Sequence, residues 1–265
     1  MKKIFFSILI MSISAITFGQ ENTKSNKEVK REIRKERVTA LMKQEEEGVI
    51  TYRKSFLGGI KLTTDGYGGF IEIGRAQSIR KSLLFQLDIS ERKHPKEEKQ
   101  FNQRNAAGPY IYGKINYFYP VKLGVQLQYL LGNKGNKNGV SVSANAGGGV
   151  SLGLLRPYLL GYDSSGTQIF RGLTANTYDS LRFLTFDPAS GPNLGTGFNK
   201  LKVTPGLYAK GGLRFDYGKY NEIISALEVG LIAEYYTKAI PQMVFSKENK
   251  LFFSAYVSII FGRRK

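Results

Sequence analysis

Residues 251–262 read LFFSAYVSIIFG, and this stretch decides the fold. Leu251, Phe253, Ala255, Val257, Ile259 and Phe261 alternate with Phe252, Ser254, Tyr256, Ser258, Ile260 and Gly262. A period of two is that of a strand whose side chains point to opposite faces. One face is wholly apolar and the other is mixed. The run is also long: strands of soluble sheets usually have ~5–6 residues, whereas a strand needs ~9–11 to cross a bilayer.

The same pattern recurs towards the N-terminus. Leu227 to Tyr235, Leu201 to Phe215, Val140 to Ala146 and Leu123 to Leu131 each alternate in the same way. The second face of these runs carries Lys, Glu, Gln and Gly, as the polar interior of a membrane barrel would. By this alternation Lys61, Glu72, Asp88, Lys114, Lys210, Arg214, Glu228 and Glu234 are expected to face the lumen. Tyr52, Tyr117, Tyr119, Tyr217, Tyr235 and Phe261 fall near strand ends, where interfacial aromatic girdles sit.

The reading is all-β, a closed antiparallel transmembrane barrel of about ten strands, with eight as the alternative. The ten strands are 50–63, 67–76, 82–92, 108–118, 121–131, 140–152, 156–163, 200–216, 224–236 and 250–262. Connections at 77–81, 119–120, 153–155 and 217–223 are short. Those at 93–107, 132–139, 164–199 and 237–249 are longer and polar, and Thr64-Asp65-Gly66 is a tight hairpin. Short turns on one side and long loops on the other are the habit of outer-membrane barrels, and place both termini in the periplasm. Closure also satisfies every backbone group in lipid.

The barrel occupies residues 49–265 in this reading. Before it, Met1-Lys2-Lys3 precedes an apolar run from Ile4 to Phe18, and Thr17-Phe18-Gly19 has small residues where a signal peptidase cuts. Residues 1–19 are therefore expected to be a cleaved signal peptide. Residues 20–48 are expected to form a short charged periplasmic helix. Val29 and Ile33 share a face, Val38, Leu41 and Met42 form a second cluster, and Gly48 ends it.

The composition excludes several chemistries. With no Cys there is no disulfide, thiolate metal site or Cys nucleophile, and a single His makes no multi-His metal site. His94 has no nucleophile motif beside it, so no catalytic residue, metal or cofactor is expected and the chain is read as non-enzymatic. The Gly-rich stretches NAGGGVSLG and KGGLRFDYG lack a Gly-Lys-Ser/Thr and do not form a phosphate loop. Lys and Arg number 39 against 21 Asp and Glu, for a net charge of +18. In an exported chain this points to anionic lipid head groups and lipopolysaccharide, not to nucleic acid. Arg80, Lys81, Arg263, Arg264 and Lys265 are assigned to the periplasmic rim, and Arg92, Lys93 and Lys96 to the outer one.

The leader, the long alternating strands and the stretch at 251–262 together resemble small Gram-negative outer-membrane β-barrel proteins of the OmpW-like and PorT-like kind. The resemblance covers about residues 49–265 and rests on pattern rather than on a diagnostic motif. It implies integral residence in the outer membrane and insertion by the outer-membrane assembly machinery. Such barrels often end on an aromatic residue, whereas here Phe261 is followed by Gly262-Arg263-Arg264-Lys265. Three functions are expected in descending order. The first is a scaffold or subunit of an envelope, secretion or outer-membrane assembly, with protein partners through residues 20–48 and the loop 164–199. The second is a porin-like narrow conduit for small solutes, and the third a lipid-modifying enzyme.

Overall fold

A computed structural model describes residues 53–101, 109–134, 139–159, 192, 195–218, 223–244 and 246–265. It also describes 27, 29–33, 35–36 and 39–40, and the backbone alone of 160–164 and 167–172. The expected signal peptide, Tyr52 and most of the loop 164–199 lie outside the described residues. The chain divides into two units, Met1–Glu47 and Gly48–Lys265. In the first, the described residues are helical and exposed, and Thr39 Oγ1 donates to the Lys35 carbonyl at 2.9 Å.

The second unit is built from strands β1 (Lys54–Thr63), β2 (Gly66–Ala76), β3 (Lys81–Arg92), β4 (Lys99–Gln100), β5 (Tyr110–Ile111) and β6 (Asn116–Gly132). They are followed by β7 (Ser141–Pro157), β8 (Leu159–Ser164), β9 (Thr167–Gly172), β10 (Lys202–Asp216), β11 (Ile223–Ile240) and β12 (Asn249–Arg264). Eight of these close a barrel in the order β1-β12-β11-β10-β7-β6-β3-β2, with β2 back on β1. Neighbours are antiparallel throughout. The pairs β4–β5 and β8–β9 are separate ribbons.

The barrel has eight strands, the alternative count, and not ten, because two of the expected turns lie inside long strands. Tyr119-Pro120 is not a turn but lies within β6, which is 17 residues long. Pro120 has no N–H to give. On the β3 side the ladder accordingly skips from Ile89↔Val121 to Arg92↔Phe118. On the β7 side it runs unbroken through Tyr119↔Leu154 and Pro120↔Gly153. Gly153–Leu155 likewise lies inside β7, which continues to Pro157. Of the expected strands 108–118 and 156–163, only 116–118 and 156–157 belong to the barrel, as ends of β6 and β7, while β5 and β8 form separate ribbons. Two strands drop out together, so the alternation of loop sides fits eight as well as ten. The new count also moves the loop at 133–140 to the end that carries the termini. There Lys54 N donates to the Lys265 carbonyl at 2.8 Å and Lys265 N returns a bond to Lys54 at 2.7 Å.

The connections at this terminus-bearing end are brief. At the opposite loop end the strands run on and the connections fold. The β8–β9 ribbon replaces the first part of the expected loop 164–199. The β4–β5 ribbon, Tyr158 and Met243 form a small apolar cluster with Ile111. Ile115 N donates to the Gln242 carbonyl, Val244 N to that of Gly113 and Tyr158 N to that of Ile115, each at 2.8 Å.

The outer wall of the barrel is an unbroken apolar band. Phe56, Ile60, Ile71, Leu123, Leu207, Val229 and Val257 all face outward and exposed. Charged residues appear on that face only near its two ends. From Phe253 to Phe261 the band spans about 26 Å along β12, the length of strand that a bilayer core asks for. Tyr235 and Phe253 lie towards the loop end and Tyr217, Phe261 and Phe56 towards the other, all exposed. Tyr117 and Tyr119, at the loop end of β6, are half-buried and stack at a centroid distance of 6.2 Å.

Val229 sits mid-band, opposite Leu213 and Val257. Val229→Arg is expected to lower the folding free energy in lipid vesicles by about 2–4 kcal/mol, and Asn249→Arg at the band's end by about 0–1 kcal/mol. A urea-dependent folding equilibrium in vesicles measures both.

Candidate functional site

The interior of the barrel is where the polar face of every strand converges. Eight strands enclose a space just wide enough for side chains to fill, and here they fill it. Tyr208, Tyr236 and Tyr256 are each buried and project into the lumen. Glycines on facing strands make the room. A Cβ on Gly230 or Gly212 would stand 2.7 or 2.8 Å from the Tyr256 hydroxyl, and one on Gly206 would stand 2.7 Å from the Tyr236 ring. Those separations are closer than van der Waals packing permits.

Two groups of charges occupy the remaining volume. Nearer the loop end, Arg92 on β3 grips Glu234 on β11 through both terminal nitrogens, at 3.1 and 3.3 Å. Its Nε meets Asp65 of the first hairpin at 2.6 Å, and the guanidinium lies 4.7 Å from the Phe252 ring centre. Lys122 on β6 donates to Glu234 at 2.8 Å, and Tyr236 adds a bond at 2.7 Å. Nearer the terminus-bearing end, Arg214 on β10 bridges Glu72 on β2 at 2.7 Å and Glu228 on β11 at 2.6 Å. Lys210 stands 3.4 Å from Glu228, while Tyr256 and Asn145 donate to the same carboxylate at 2.7 and 2.8 Å. Lys61 pairs with Asp88 between β1 and β3. Gln126 donates to Gln86.

The order of strands gives these contacts their meaning. In the ring of eight, β3 and β11 stand four places apart, and so do β2 and β10. Arg92–Glu234 and Arg214–Glu72 therefore join diametrically opposite walls. A solute path along the axis would have to pass both.

The structure places all eight expected lumen charges in buried positions. Lys61, Glu72, Asp88, Lys210, Arg214, Glu228 and Glu234 lie inside the barrel wall. Lys114 lies beyond it, in an isolated bridge to Met243, where it meets Glu97 at 2.6 Å and the Tyr117 ring centre at 4.1 Å. Two central members were not among those expected, Lys122 and Arg92. Arg92 was assigned to the outer rim. It is instead buried, because it shares the inward parity of Asp88 and Ser90 on β3. Arg156, expected near a turn, is also buried, with its guanidinium 4.2 Å from the Tyr117 ring centre.

His94 lies in the turn after β3, half-buried. Lys96 N donates to its Nδ1 at 3.2 Å, and its own N–H donates to Glu97 at 3.0 Å. Burial lowers its pKa against the opposing pull of Glu97. Burial likewise lowers that of Lys114 despite Glu97. Among the described residues no group of three or more His, Asp and Glu side chains is placed to hold a metal ion.

Neither a protein-family model nor a curated protein sequence matches the chain. Solved structures do. The chain is similar to the N-terminal β-barrel domain of Pseudomonas aeruginosa OprF, at 11% identity and a TM-score of 0.34, over 80% of this chain and 98% of that one. It is similar to Ail, the attachment invasion locus protein of Yersinia pestis, at 9% identity and a TM-score of 0.38, over 82% and 100%. It is also similar to Neisserial surface protein A, at 13% identity and a TM-score of 0.32, over 80% and 94%.

Glu228 and Glu234 each hold two buried cations. Replacing either by Ala leaves those cations without their counter-charge and should cost about 3–5 kcal/mol. Glu248→Ala in the exposed β11–β12 connection should stay within about 0.5 kcal/mol. Urea titration in vesicles gives both values. The His94 turn makes a second expectation. A folded pKa below the unfolded one means that stability is present above the unfolded value of ~6.5 and falls as protons bind. A proton on Nδ1 also removes the acceptor for Lys96 N. Amide exchange over residues 94–98, corrected for intrinsic rate, should quicken as the pH falls below about 6.5, and His94→Asn should abolish that dependence.

Proposed function

We propose that this chain is an integral outer-membrane β-barrel with a sealed lumen, acting as a non-enzymatic scaffold or subunit of an envelope, secretion or outer-membrane assembly. One observation carries the reading: buried ion pairs tie opposite walls of the barrel at two levels, Arg92 to Glu234 and Arg214 to Glu72. The closed ladder and the continuous outward apolar band support residence in a bilayer. The short connections at the terminus-bearing end support a periplasmic placement of both termini, and the folded ribbons at the other end an external one. With its axis obstructed, the barrel has its ends and its outer wall to work with. The helical segment within 20–48 and the loop-end ribbons are its surfaces for protein partners, and the assembly machinery inserts it.

A second reading, a narrow porin-like conduit, has its own support. Glu72 Oε1, Asp88 Oδ1, Gln86 Nε2, Gln126 Oε1, Asn145 Oδ1, Tyr208 Oη and Ser258 Oγ are buried without a hydrogen-bond partner. Such groups ordinarily hold water, so these lumen positions, several of them in the group around Arg214, suit hydration.

Single-channel recording of the refolded chain in planar bilayers separates the two. No discrete conductance is expected. Openings should appear when both crossings are removed together, as in Arg92→Ala with Glu234→Ala and Arg214→Ala with Glu72→Ala. Ion-selective openings in the unmodified chain would replace the sealed scaffold with the conduit. Deleting residues 20–47 should leave insertion intact and abolish co-migration with partners on native gels.

A further inference from the structure

Both ends of the barrel carry exposed cations, but among the described residues only the loop end also carries exposed acids, Glu98 and Glu248. At the loop end Arg92 and Lys114 are matched to Asp65 and Glu97, and Lys93 lies over the Tyr67 ring at 5.1 Å. At the terminus-bearing end Lys54, Arg75, Arg80, Lys81 and Arg263 are all exposed. Among the described residues the one acid at this end is Asp216. It is buried, and already held by Arg264 at 3.2 Å and Lys134 at 3.4 Å. Among the described residues, Lys54, Arg75, Arg80 and Lys81 have no ion pair.

A cavity of about 430 Å³ opens on the outer wall directly beside these cations. It is lined by Arg75, Ala76, Gln77, Leu83 and Phe85. Register explains why. Arg75 stands opposite Leu83 and Ile73 opposite Phe85, where β2 meets β3. Lys54 of β1 flanks Arg75 on its other side. Moving from this end towards mid-band, the outer wall passes from Arg75 to Ile73 and Ile71, and from Lys81 to Leu83, Phe85 and Leu87. The polar lip therefore gives way within one or two residues to exposed hydrocarbon.

We propose that this groove is a seat for an anionic diacyl phospholipid. Its phosphate sits at Arg75 and Lys81, within reach of Arg80 and Lys54. An acyl chain lies along Leu83 and Phe85, and the Gln77 amide serves the glycerol ester region. A free phosphate would gain nothing from the apolar half of the site. A zwitterionic lipid brings its own ammonium into a cluster where, among the described residues, no exposed acid stands to receive it. The groove lies at the level where a snorkelling Arg meets head groups. The inference rests on the membrane-barrel reading.

The test is native mass spectrometry of the full mature chain in mixed micelles, offered phosphatidylglycerol, phosphatidylethanolamine or lipopolysaccharide. Phosphatidylglycerol should be retained over phosphatidylethanolamine roughly tenfold, as the attraction of several basic side chains to one anionic head group implies. Arg75→Gln with Lys81→Gln should erase that preference, and Lys247→Gln with Lys250→Gln at the loop end should not. Leu83→Ser should weaken retention while leaving the charge cluster whole. Equal retention of the two phospholipids, equal loss in the loop-end variant, or binding of lipopolysaccharide alone would overturn the seat. Failure of the unmodified chain to give a heat-modifiable band would overturn the membrane-barrel reading and the seat with it.

Discussion

The structure depends on one constraint: charged side chains are confined in a tube only eight strands around. An ion removed from water is costly, and the penalty is offset only when partners and extra hydrogen bonds are well placed. Here the partners come from across the tube. Arg92 and Glu234 are 142 residues apart in sequence and lie on opposing strands. The same is true of Arg214 and Glu72. These pairs are long-range in sequence and transverse in space, so they form only when the barrel has closed in the correct order. A slip of one residue would turn Glu228 or Arg214 to the outer face and a leucine to the lumen. The ion pairs thus specify register as well as occupy volume.

Aromatic and glycine positions answer the same constraint. Phe118, Tyr236 and Phe252 pack edge-on and tilted at centroid distances of 5.3 to 5.9 Å beneath Arg92. Tyr256 reaches Glu228 on the neighbouring strand above the glycines Gly212 and Gly230. A β-barrel with this much aromatic mass inside needs facing positions with no side chain at all. This accounts for glycines in the middle of long strands, where they otherwise weaken a sheet.

Much of this was legible in the sequence because alternation survives every local disturbance. The inward parity of Lys61, Glu72, Asp88, Lys210, Arg214, Glu228 and Glu234 follows from a count of two along each strand. Arg92 obeys the same count from Asp88, but its place at the edge of a charged loop drew it to the rim. Lys122 was on the right face and lacked only a partner to single it out. Strand number was harder. Tyr119-Pro120 offers no Asn-Gly or Gly-X pair of the kind tight hairpins use. Its proline instead marks an interrupted ladder on one side of a continuous strand. Which residues cross the lumen was out of reach, because that depends on which strands stand opposite one another after closure.

Charge bookkeeping along the fold locates the remaining chemistry. Inside the barrel Lys61, Arg92, Lys122, Lys210 and Arg214 are balanced by Asp65, Glu72, Asp88, Glu228 and Glu234. The interior is neutral, as a low-dielectric space requires. Residues 21–47 are nearly balanced as well. The chain's excess of +18 therefore belongs almost wholly to the two rims, the loops and the leader. A protein that neutralises its core with such economy and leaves its rims cationic has its electrostatic reach directed outward. Dissolved salt screens an exposed charge within about 8 Å at physiological ionic strength. Those rims therefore act only on what comes into contact with them.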